Sequence, residues 1–131
     1  MLNVREMDVL AILWNTDEEM TAIDIVNEKK ELTQSTVTAV LRGLLKRGLV
    51  EVRGMTHSGK VLSRTYRPTP DSITAITEHF VEFYKKISDV FNHSEMCMNI
   101  LTMSEDKDRI KKEMTKLKKF LREYQKKDGD E

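Results

Sequence analysis

Three short helices with capped starts, then two alternating strands, then apolar residues at helical spacing with no further strand, predict a mostly α-helical chain. Its first part has the order of a winged helix-turn-helix. Composition agrees, since 131 residues hold only five glycines and two prolines, few turn formers for a β protein. The winged-helix domain is expected over residues 1–70 and a helical region over residues 71–131, with Pro68 and Pro70 marking the division and a tail fraying from about residue 126. Such a length fits one domain, or one small domain with an appended helical region.

The first helix is announced by Asn3 and Glu6 at capping-box spacing, with Leu2 and Met7 in the hydrophobic-staple positions. It is expected to run to about Trp14 and to bury Met7, Leu10, Leu13 and Trp14 on one face. Asn15 to Met20 is a polar connector. Thr21 with Asp24 opens a second helix, Ile23 and Val26 leading its inward face with Ile25 secondary, and the charged stretch Glu28 to Glu31 ends it. Leu32 and Thr33 repeat the staple and cap, with Val37 as the staple's partner.

The third helix, Gln34 to Arg47, stops at Gly48, a residue suited to the left-handed position after a helix. Its buried set is Val37, Val40, Leu41 and Leu44. The opposite face is Ser35, Thr38, Arg42 and Lys46, all able to hydrogen-bond. Leu49 to Arg53 and Val61 to Arg67 then read as strands, and Gly54 to Gly59 as the turn-rich tip between them.

Beyond Asp71 the pattern is wholly helical. Ile73, Ile76, Phe80, Phe83, Ile87 and Val90 recur at spacings of three and four, and a short helix is expected from Glu95 to Met103. Ser104 to Lys107 reads as a capped start for a last helix. Its residues Ile110, Met114, Leu117, Leu121 and Tyr124 are spaced 4, 3, 4, 3, the alternation of a coiled-coil seam. Both stripes need a partner to cover them.

Several function classes fall away. The longest apolar run, Val9 to Trp14, is six residues, against about 20 for a membrane span, so no membrane insertion is expected. Arg5, Glu6 and Asp8 stand where a secretory signal would be apolar. A single cysteine, Cys97, fits a reducing cytoplasm. Three histidines without a hydrolase, phosphate-loop or dinucleotide motif argue against an enzyme. His93 and Cys97, four residues apart, supply two of the four ligands a structural zinc site needs; no metal or cofactor is expected, and the pair reads as a part-exposed imidazole and a buried thiol.

The formal net charge of zero hides a division. Residues 1–41 carry three basic and eight acidic side chains, a balance of −5; residues 42–67 carry seven basic and one acidic, a balance of +6. The third helix's end and the hairpin are therefore cationic, and in a winged helix these parts meet nucleic acid. A helix fits the major groove and reads base edges, while flanking cations hold phosphates. Gln34, Ser35, Thr36, Thr38 and Arg42 are the candidate base-contacting residues. Lys46, Arg47, Arg53, Lys60 and Arg64 are the candidate phosphate contacts. The same residues have local uses too: Ser and Thr cap helix starts, and Lys46 and Arg47 suit the negative end of the helix dipole. Winged helices also serve as protein-interaction modules without sequence-specific DNA binding, a reading that spacing leaves open.

The segments Asn3 to Trp14, Thr21 to Ile25, Ser35-Thr36-Val37, Leu41, Leu44 to Val50 and Tyr66-Arg67-Pro68 resemble the penicillinase repressor family, the BlaI/MecI/CopY group of bacterial transcriptional repressors. The resemblance covers the whole winged-helix part and, more loosely, the helices to about residue 120. It implies a homodimer, joined through its C-terminal helices, that binds a pseudo-palindromic double-stranded DNA operator with the third helix in the major groove and the wing on the backbone. Thr36 matches the family's threonine, whereas Ala39 replaces a second threonine and Gly43 an arginine. The family's copper-responsive members carry a pair of Cys-x-Cys motifs that this chain lacks. Its antibiotic-responsive members are cut after an asparagine preceding a phenylalanine; the similar position here is Asn99-Ile100, which keeps the asparagine and not the aromatic, and is compatible both with regulatory cleavage by a membrane sensor-protease as partner and with a polar residue on a small dimer helix.

Overall fold

In the computed structural model, which describes residues 2–129, the first helix, α1 (Val4–Trp14), begins where Asn3 and Glu6 cap each other. The Glu6 amide donates to Asn3 Oδ1 at 2.8 Å and the Asn3 amide to Glu6 Oε1 at 2.9 Å. Helix α2 (Ala22–Glu28) starts on the same device, built from Thr21 and Asp24. Helix α3 (Gln34–Lys46) is capped by Thr33, whose hydroxyl accepts from the Thr36 amide at 3.2 Å. It stops at Gly48, whose φ of 71° is open to glycine at no steric cost.

The three helices close around Val9, Leu10, Leu13, Ile25, Val37, Leu41 and Leu44, all at most 1% exposed, with Leu2 and Leu32 buried beside them. Each such side chain contributes on the order of 1.5–3 kcal/mol by leaving water. Two inward faces differ from the expected ones. In α2 the buried residue is Ile25, while Ile23 stays 38% exposed, because seven residues of helix present one narrow face. In α1 Val9 takes the place expected for Trp14, which lies at the rim, 39% exposed, with its indole N–H on Ser72 Oγ at 2.8 Å.

Strands β1 (Val50–Ser58) and β2 (Val61–Pro68) form an antiparallel hairpin in which Val50 faces Pro68 and Ser58 faces Val61. The stretch Gly54 to His57, expected as turn, is strand. A bulge at Arg53, between the Val52–Tyr66 and Gly54–Thr65 pairs, absorbs one extra residue and the ladder continues. The turn is confined to Gly59 and Lys60, with Gly59 at φ 68°. Met20 bridges to Tyr66 beside the hairpin, with both amides bonded.

Helix α4 (Pro70–Ile87) follows directly. Compact units span Met1–Tyr84 and Lys85–Glu131, so the expected division at residue 70 falls inside the first, where Ser72 is fully buried and Ala75 and Ile76 pack on the core. In the second unit, α5 (His93–Thr102) is capped by Asn92, and α6 (Lys107–Gly129) starts on Asp106, whose Oδ1 accepts from the Asp108 and Arg109 amides. Helix α6 extends to Gly129; residues 130 and 131 lie outside the described residues.

Candidate nucleic-acid interface

Helix α3 buries one side and offers the other to solvent. Gln34, Ser35, Thr38, Ala39 and Arg42 line one shallow, open depression along that exposed side. Four of the five residues expected to contact bases are thus brought together. Thr36 is not among them: its hydroxyl receives a hydrogen bond from Thr33 Oγ1 at 2.9 Å, and the side chain is half-buried in the cap. Gly43 has open space where a Cβ would stand. The two departures from the family pattern therefore sit where no packing demands them, Ala39 on the depression itself.

The cations divide into three kinds. Arg42 and Lys46 on α3, Lys60 at the hairpin turn and Arg64 on β2 form no ion pair among the described residues and stand open to solvent. The others are engaged. Arg47 Nη1 lies 3.1 Å from Glu6 Oε2, and Arg53 Nε 2.7 Å from Glu51 Oε1. The Arg53–Glu51 pair is open to water on both sides and worth about 0–1 kcal/mol, so a phosphate can displace that carboxylate, whereas Glu6 in the other pair is largely covered. Arg67 is different in kind. Its Nη1 donates to the carbonyls of Leu13, Thr16 and Glu18 at 2.7 to 3.2 Å, satisfying the end of α1 and tying it to β2.

Of the seven cations behind the charge of +6, four form no ion pair among the described residues, two are ion-paired and one is structural. The carboxylates that engage them, Glu6 from 41 positions away and Glu51 from two, have no signature in a charge count. Another part of the same unit is acidic. A cleft between α1 and α2 is lined by Glu18, Glu19, Asp24 and Glu28, with Glu19 accepting from the buried Thr65 hydroxyl at 3.0 Å.

The residues expected at a dimer contact are largely uncovered. Ile73, Phe80, Phe83 and Val90 are exposed, Val90 by 81%, and so are Met114, Leu121 and Tyr124. Ile87, Ile110 and Leu117 are half-buried, and Ile76 instead packs on the first unit's core. Val81 and Phe120, outside the expected stripes, are open as well; Phe120 stacks on Tyr124 at 6.1 Å. Asn99 and Ile100 lie within α5, both exposed. Cys97, expected to be buried, is exposed on the same helix because α5 buries no residue. Among the described residues no three His, Cys, Asp or Glu side chains gather to hold a metal, and no helix is long and apolar enough to cross a membrane.

Three helices around one core, a polar exposed face on the third and a basic two-stranded wing define a winged-helix transcription regulator. The chain belongs to the penicillinase repressor family, whose model matches residues 2–123. No protein of curated function matches the sequence. Among solved structures, Bacillus subtilis PadR in complex with operator DNA is similar at 18% identity and a TM-score of 0.51, over 98% of this chain and 79% of that one. A mutant of S. aureus MepR has the same identity and score over 92% and 80%. A PadR family transcription regulator from Clostridium difficile R20291 is 15% identical, with a TM-score of 0.50, over 70% and 97%. At these identities the likeness is one of fold. The family is one of repressors, and the Clostridium difficile neighbour is a transcription regulator.

Proposed function

We propose that the chain represses transcription in the cytoplasm as a homodimer, placing the exposed face of α3 in the major groove of an operator and the wing against its backbone. The observation that carries this reading is the gathering of Gln34, Ser35, Thr38 and Arg42 on one solvent-facing depression of α3, with Lys46, Lys60 and Arg64 left without ion-pair partners among the described residues. Arg42 is the side chain able to grip a guanine through two bonds. Lys46, Lys60 and Arg64 act on phosphates, and Arg47 and Arg53 join them by exchanging a carboxylate for a phosphate. Thr36 orders the start of α3 through its bonds to Thr33.

The apolar residues left open on α4 and α6 support a second copy as their cover, with residues 71–131 as the dimerisation region. Cleavage at Asn99-Ile100 by a membrane sensor-protease would require α5 to unwind around that bond. The test is retardation of DNA from the protein's own upstream region. The reading expects a band that unlabelled upstream DNA competes away and unrelated DNA does not. A folded dimer that retards nothing at low salt contradicts it and favours the protein-interaction module instead.

A further inference from the structure

The opening of α4 is tied to two other helices by a chain of hydrogen bonds. The indole N–H of Trp14, the last residue of α1, donates to Ser72 Oγ at 2.8 Å. Ser72 Oγ donates in turn to the Thr69 carbonyl at 2.7 Å, and the side chain is fully buried. The Thr69 hydroxyl donates to the carbonyl of Gly48 at 2.6 Å, and the Thr69 amide to that of Leu49 at 3.0 Å. Gly48 and Leu49 follow the cap of α3, and their amides donate to the carbonyls of Leu45 and Leu44 in its last turn.

Each bond has a cheaper local alternative. A threonine before a helix commonly caps that helix's own amides, yet Thr69 turns its hydroxyl back to the stop of α3. A tryptophan at a rim can leave its N–H in water, yet Trp14 reaches a serine 58 positions away. Directional bonds on this set of atoms restrain rotation and sliding, which apolar packing alone tolerates better.

We propose that Thr69, Ser72 and Trp14 are positioning residues that lock the start of α4 to the end of α3, and thereby set where the reading helix stands for a two-part operator. The inference rests on the repressor reading above. In a homodimer joined through later helices, α4 is the element that leaves the first unit, so its angle to α3 enters the spacing of the two reading helices. None of the three residues touches DNA; they act through α3.

The experiment uses the full chain and a duplex that the wild type enriches from a random pool, together with the same duplex carrying one scrambled half. The tested variants are Thr69→Val, which keeps shape and loses the hydroxyl, and Trp14→Phe, which loses the N–H. Each should lower the preference for two halves over one on the order of tenfold, equivalent to ~1.4 kcal/mol, with affinity for the single half unchanged. Thr69→Ser should restore the preference. Trp14 is the only tryptophan, so its emission confirms folding in the Thr69 variants.

Equal losses on both duplexes, or an unchanged preference, overturn the positioning role. A wild-type chain that enriches no duplex overturns the repressor reading itself, and this inference with it.

Discussion

The two units of the chain bury apolar surface in different ways. Among the described residues, every buried large apolar side chain belongs to Met1–Tyr84, whereas α5 and α6 contain none. Yet α6 carries Ile110, Met114, Leu117, Phe120, Leu121 and Tyr124, six apolar side chains set among 23 mostly charged and polar residues. The first unit closes its core within one chain; the second spreads fewer apolar side chains along helices that leave them exposed. The first unit's helix starts are encoded by short-range signals, and the second unit leaves its apolar side chains open to the second copy proposed above. Variants in the two units should therefore fail in different ways.

The largest separation is expected from charged replacements on the α6 seam. Leu117→Glu with Leu121→Glu should convert a dimer to monomer in sedimentation while the first unit keeps its cooperative unfolding. A dimer that survives moves the contact to residues 73–91. Next is a cavity in the other unit. Leu44→Ala removes a side chain with 0% exposure and should cost about 2–5 kcal/mol in urea unfolding, leaving any dimer of the second unit in place. A smaller loss would show that the core collapses to fill the space.

Smaller effects sharpen the comparison inside α3. Thr33→Ala deletes the cap on the Thr36 amide and should cost about 1 kcal/mol of stability. Gly43→Ala adds a methyl where nothing lies within 4 Å and should raise stability by up to ~1 kcal/mol, read as a higher unfolding midpoint. A destabilised Gly43→Ala would contradict the open space seen there.

Much of the first unit is legible because its signals are short-range. The Asn3–Glu6 and Thr21–Asp24 boxes, the Thr33 cap and the Gly48 stop are each spelled within three or four residues or at a single glycine. Sequence and structure part where distant partners decide. Trp14 reads as core by spacing, but Ser72 draws its indole to the rim. Gly54 to His57 reads as turn by composition, but pairing with Leu62 to Thr65 keeps that stretch in the ladder.

The candidate site shows the same division. The exposed face of α3 follows from helical periodicity, which groups Ser35, Thr38 and Arg42 without any coordinates. The state of each cation does not follow from periodicity. Arg42 and Lys46 form no ion pair among the described residues, Arg47 is held by Glu6, and Arg67 is committed to three carbonyls of the α1 end and the loop after it. A charge of +6 thus overstates what is available to phosphates. The zero total of the whole chain conceals it altogether.

The central claim is that α3 reads bases while the wing only holds the backbone. It is tested most directly by measuring Arg42→Ala and Lys60→Ala against both the preferred duplex and a random one across a salt series. Arg42→Ala should lose about 1–3 kcal/mol on the preferred duplex and relax its sequence preference. Lys60→Ala should weaken both duplexes alike and lower the salt slope by about one. Two variants with the same effect on preference would contradict the division of labour between helix and wing.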